Sequence, residues 1–91
     1  MNDQALEMIT FIKDEVIRNP RISLDEETAI VSGGLIDSMA LVEILAKLED
    51  VTGLRIPAGK VKPADMDTVA RMFATAARVG KPRQRSLNGK N

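Results

Sequence analysis

The stretch that decides the fold is Gly33-Gly34-Leu35-Ile36-Asp37-Ser38-Met39-Ala40-Leu41-Val42-Glu43-Ile44-Leu45. Two glycines, a turn signal, lead through two apolar residues to an Asp-Ser pair, and a helical pattern starts at once. Asp37 is a favourable N-cap, because its carboxylate accepts from the free N–H groups of a first helical turn. Ser38 then stands at the mouth of a helix, where backbone donors and the helix dipole favour an anionic group. A phosphate ester on Ser38 is well placed there.

The helix that follows is expected over residues 38–51. Leu41, Val42, Leu45 and Leu48 supply a buried stripe, with Met39, Ile44 and Val51 adding to it. Glu43, Lys47, Glu49 and Asp50 fall largely on the other side, and Thr52-Gly53 closes the helix. Upstream, residues 19–37 form a long connection of the kind that often carries function in a small domain. It holds an exposed acidic turn, Asp25-Glu26-Glu27-Thr28, and Ile30-Val31, which packs the loop onto the core. Before it, residues 3–18 read as an amphipathic helix, with Leu6, Ile9, Phe11 or Ile12, and Val16 recurring at three and four. Asn19-Pro20 ends that helix.

Downstream, residues 54–62 are a second connection anchored by Leu54 and Ile56. Pro63 suits the first position of a short helix, Pro63 to Met66. Asp67 is expected to cap the last helix, Thr68 to about Arg78, whose inner face carries Val69, Met72, Phe73 and Ala76. No stretch alternates well enough for a sheet. The expected fold is therefore all-α: a bundle of three main helices plus one short helix, with a long loop between helices 1 and 2. The domain is expected to occupy residues 1–79, followed by a basic, disordered tail over 80–91.

Composition narrows the chemistry. The 91 residues make one small domain with a modest core. The chain has no cysteine, hence no disulfide, thiolate or cysteine metal site. It has no histidine, which removes the usual general base and the commonest metal ligand, and no metal site is expected. A serine nucleophile needs a base, and this chain offers only Lys and carboxylates, so neither a self-contained serine hydrolase nor a catalytic residue is expected. If Ser38 reacts, another protein supplies the catalysis. Met1-Asn2-Asp3-Gln4 lacks the basic and apolar blocks of a secretory leader, and no apolar run reaches membrane-span length, so a cytoplasmic protein without membrane contact is expected. Net charge is zero, but all 13 acidic residues and nine of the 13 basic ones lie within 1–79, whereas Lys81, Arg83, Arg85 and Lys90 carry the rest. The bland reading of this tail, a solubilising end without nucleic acid, is the expected one. No heptad seam is present, so a monomer is expected.

Leu35-Ile36-Asp37-Ser38-Met39 resembles carrier proteins of the acyl, peptidyl and D-alanyl type, whose shared motif is Asp-Ser-Leu or Asp-Ser-Met at the start of the second helix. The order of elements matches as well: long helix, long loop, Asp-Ser helix, short helix, last helix. The resemblance covers roughly residues 4–79. It implies that Ser38 is the attachment site of 4′-phosphopantetheine, transferred from coenzyme A by a separate phosphopantetheinyl transferase with Mg²⁺, and that Asp37 helps orient that transfer. It implies a cargo held as a thioester on the prosthetic thiol, in a protein that is not itself an enzyme. Fatty-acyl, polyketide and nonribosomal-peptide pathways all use such carriers.

The resemblance also implies partners: an AMP-forming acyl or aminoacyl ligase, and a downstream synthase or transferase. Family members meet these through the second helix, so Met39, Leu41, Glu43, Lys47, Glu49 and Asp50 are the candidate partner-binding residues. Ala40, Leu41 and Lys47 depart from the strongly acidic fatty-acid carriers. Met39 and the run Lys62-Pro63-Ala64-Asp65-Met66-Asp67-Thr68-Val69 look more like small free-standing carriers of specialised or secondary-metabolite pathways. If the domain shelters an acyl chain, Met39, Val42, Val61, Met66 and Val69 are expected near its mouth. The competing reading is a helical protein–protein interaction module without a prosthetic group.

Overall fold

The computed structural model describes residues 3–82. Helix α1, Asp3–Phe11, buries Ala5, Met8 and Ile9. Leu6 lies beside that stripe and is 54% exposed, so it is not part of the inner face expected from its spacing. The helix then widens into a π segment, Ile12–Ile17, in which each N–H reaches one residue further back than in an α-helix. Simple α periodicity does not anticipate this change. At 3.6 residues per turn, Ile12 and Val16 share a face and Ile17 swings away from it. The wider winding brings all three inward: Ile12 is buried, and Val16 and Ile17 pack on the core. Arg18, with φ 63°, ends the segment.

The long loop follows, and Ile30 is its plug, fully buried among the helices. The acidic turn is present: the Asp25 carboxylate accepts the Glu27 N–H at 2.8 Å and the Thr28 hydroxyl at 3.1 Å. These two donors hold the Asp25 carboxyl below the usual carboxylate range, the Glu27 amide first.

Helix α2, Ala40–Thr52, starts two residues later than its sequence pattern suggests, and Gly53 closes it in the left-handed conformation. Its buried edge is Ile44 and Leu48, with Leu41, Leu45 and Val51 packed partly against the core. Met39 and Val42 are 80% and 72% exposed and do not join the stripe. The apolar arc of α2 is wider than the area α1 and α3 cover, so its far edge stays outside.

α1 and α2 run antiparallel. Gln4 Nε2 donates to the Val51 carbonyl at 3.2 Å, and one turn on Lys47 Nζ meets Glu7 Oε2 at 3.0 Å. The same ammonium lies 5.6 Å from the Phe11 ring centroid and 3.8 Å from Asp50 Oδ2. Its hydrogen bond to Glu7 raises the Lys47 pKa.

After α2 come a 3₁₀ turn, Ala58–Lys60, and a second one, Pro63–Met66, at the expected place of the short helix. Helix α3, Val69–Val79, buries Val69, Met72, Thr75 and Ala76. The Thr75 hydroxyl donates to the Asp65 carbonyl at 3.4 Å, which satisfies it in the core. The cap of α3 is Thr68, whose hydroxyl accepts the Arg71 N–H at 3.0 Å. Asp67, the residue expected there, stands one position too early and is used elsewhere.

A small sheet completes the fold, contrary to the sheetless expectation. Strand β1, Leu54–Arg55, pairs antiparallel with β2, Lys81–Pro82, in the register Leu54↔Pro82 and Arg55↔Lys81. Two residues a side are too few for alternation to register in the sequence. The pairing carries the described fold past Val79 to Pro82; the rest of the basic tail lies outside the described residues. The architecture is thus mostly helical, three helices around one core with a minimal sheet at one end. Among the described residues no helix is long and apolar enough to cross a membrane.

Candidate functional site

The Asp37-Ser38-Met39 turn leads into α2. The Ala40 N–H is accepted by Asp37 Oδ1 at 3.0 Å and by the Asp37 carbonyl at 3.2 Å. The Ser38 carbonyl accepts from Leu41, and the Met39 carbonyl from Val42, both at 3.3 Å. These i→i+3 contacts tighten the entrance of the helix, so Ser38 and Met39 stand on a turn in front of it. Ser38 is exposed. Its immediate neighbour in the chain, Asp37, is committed through Oδ1 to the backbone. With no histidine in the chain, the hydroxyl has no customary base of its own. Among the described residues no group of acidic side chains is arranged to hold a metal ion.

Apolar surface surrounds the serine turn. Leu35 before it is 40% exposed, and Met39 and Val42 after it are exposed as well. Beyond Val42 lies a cleft of about 180 Å³ between α2 and the two 3₁₀ turns, lined by Leu41, Val42, Leu45, Val61, Pro63 and Met66, with Lys62 at its rim. Three of the residues expected at a sheltering mouth, Val42, Val61 and Met66, meet there. The other two do not: Met39 lies outside the lining, and Val69 is sealed in the core at 0% exposure. A larger furrow of about 550 Å³ runs along α1 past Leu6, Glu7, Phe11 and Lys47, away from Ser38.

The candidate partner-binding residues divide. Met39 and Glu43 are exposed near the serine turn, and Leu41 is half-buried in the cleft wall. Lys47 sits lower on α2 and reaches Glu7 of α1, and exposed Asp50 meets the same ammonium from within α2. Glu49 Oε2 accepts the Ile56 N–H at 2.7 Å, so that carboxylate works inside the fold, pinning the connection after α2.

The turn is supported from below by the loop before it. The Ile30 carbonyl accepts both the Leu35 and the Ile36 N–H, at 3.0 and 3.2 Å. Between them Gly34 adopts φ 76°, and a side chain on Gly33 would strike the Ala29 carbonyl. Asp67 grips the same loop. Its Oδ1 accepts the Val31 and Ser32 N–H groups, each at 2.9 Å, and its Oδ2 accepts the Ser32 hydroxyl at 2.8 Å. The Ser32 amide and hydroxyl are the main reasons its carboxyl lies below the usual range. Sequence reasoning missed this contact, and no local signal marks it, since the partners are 35 and 36 positions away. It also missed Lys62 beside the cleft. No protein-family model, no curated protein and no solved structure matches the chain.

Proposed function

We propose that the protein is a carrier that bears 4′-phosphopantetheine on Ser38 and delivers an acyl or aminoacyl group to partner enzymes. One observation carries the reading: an exposed serine stands on a capped turn at the mouth of α2, beside an apolar cleft, in a chain without cysteine or histidine. The residues present fit such a group. Ser38 is exposed, the helix entrance favours a phosphodiester, and Leu41, Val42 and Val61 offer apolar surface alongside. When bound, the group supplies a thiol that holds cargo as a thioester. The chain's own task is presentation. Asp37 braces the turn, and exposed Ser38 is left within reach of a transferase that removes its hydroxyl proton. Met39, Leu41 and Glu43 form the surface that a transferase, ligase or synthase meets. Electrostatic contacts there set encounter rate and partner choice.

Intact mass before and after incubation with coenzyme A, Mg²⁺ and a broad-specificity phosphopantetheinyl transferase tests the reading. A gain of one phosphopantetheine, lost in Ser38→Ala, supports it. No gain on folded wild-type protein sinks it. The second reading, an interaction module without a prosthetic group, draws on the exposed Met39 and Val42. It predicts partner binding that survives Ser38→Ala and weakens in Val42→Asp.

A further inference from the structure

We propose that Asp67 is a positioning residue for Ser38: its carboxylate fixes the loop that sets the attitude of the Asp37-Ser38 turn, and so governs how well Ser38 is modified. The inference rests on the carrier reading. Asp67 is itself a rigid post, because Met66 before it and Val69 two residues on are 2% and 0% exposed. Its backbone carbonyl accepts the Ile30 N–H at 2.8 Å, which seats Ile30 in the core. Its carboxylate then turns the next two amides, Val31 and Ser32, toward α3 and locks the Ser32 hydroxyl.

From this grip the chain has little freedom before the serine. Gly33 and Gly34 reverse it, Gly34 N–H returns to the Val31 carbonyl at 3.1 Å, and Leu35 and Ile36 both close on the Ile30 carbonyl. Asp37 and Ser38 follow at once. Without the carboxylate, two amides and a hydroxyl lose their acceptor, and the loop is left to the Ile30 plug and its backbone hydrogen bonds. Loading depends on orientation of the attacking hydroxyl, and small displacements of a reacting group cost large factors in rate.

The test compares full-length wild type with Asp67→Ala, Asp67→Asn and Thr68→Ala, following transferase kinetics and backbone amide exchange. Asn keeps an oxygen for the two amides, and its NH₂ can donate to the Ser32 hydroxyl, so Asp67→Asn is expected to load near the wild-type rate. Asp67→Ala is expected to lose roughly tenfold or more in kcat/KM at a temperature where circular dichroism shows it folded. Its amides over 31–38 should exchange faster while those of α3 do not. Thr68→Ala, which loosens α3 without touching the loop, controls for general destabilisation and should load normally.

Loading of Asp67→Ala at the wild-type rate overturns the proposal and leaves the carrier reading intact. An equal loss in Thr68→Ala overturns it too, since destabilisation alone would then suffice. Failure of wild-type protein to load removes the carrier reading, and the positioning role with it.

Discussion

Neighbouring residues divide the work at the head of α3. Thr68 serves the helix and Asp67 serves the loop, and their substitutions should have different signatures. Thr68→Ala removes a cap worth about 1 kcal/mol, and urea denaturation should show that loss with little change in slope. Asp67 instead makes stability depend on acidity. Its carboxyl is held below the ordinary range by the Ser32 amide and hydroxyl. A group with a depressed folded pKa stabilises the fold above its unfolded pKa, about 4 for a carboxylate. That contribution drains away as pH falls through the lower, folded value. The urea midpoint of the wild type should therefore decline below about pH 4, and Asp67→Asn should lessen that decline, leaving the part that Asp25 contributes. A wild-type curve parallel to that of Asp67→Asn would refute the assignment.

Within α2, buried and exposed apolar residues are interleaved, and mutation should separate them. Leu48→Ala empties a fully buried position and should cost about 2–5 kcal/mol in denaturant unfolding. Val42→Ala, at an exposed site, should stay within about 0.5 kcal/mol of wild type. The helices were legible because apolar spacing, Pro63 and the closing Gly53 are local signals, and local signals survive in a bare sequence. The π segment was not, since Ile12 and Val16 fit an α pattern on their own and nothing in the spacing requires Ile17 to come inside with them. Leu6, Met39 and Val42 went astray for a related reason: periodicity tells which face is apolar, not how much of it neighbours cover. Asp67, Glu49 and the β1–β2 pair depend on contacts across the fold, which no window of sequence contains. At the candidate site the capped serine turn was readable, whereas its support from Asp67 was not.

Taken whole, the molecule closes at one end through the pairing of Leu54–Arg55 with Lys81–Pro82. Removing residues 80–91 should lower stability by about 0.5–1 kcal/mol relative to removing only 83–91, through lost cross-strand contacts. Equal behaviour of the two truncations would deny the strand pair a structural role. The pairing also gives the body two poles. Gln4 is tied to Val51 and Pro82 to Leu54, so both ends of the described chain emerge near the foot of α2. Ser38 stands at its head, about 20 Å away by the rise of a helix of this length. A bead, a fluorophore or a fused enzyme attached beside Gln4 or at Pro82 would hang from the foot. The serine pole would stay free, and the domain could be immobilised on a surface with its head facing outward.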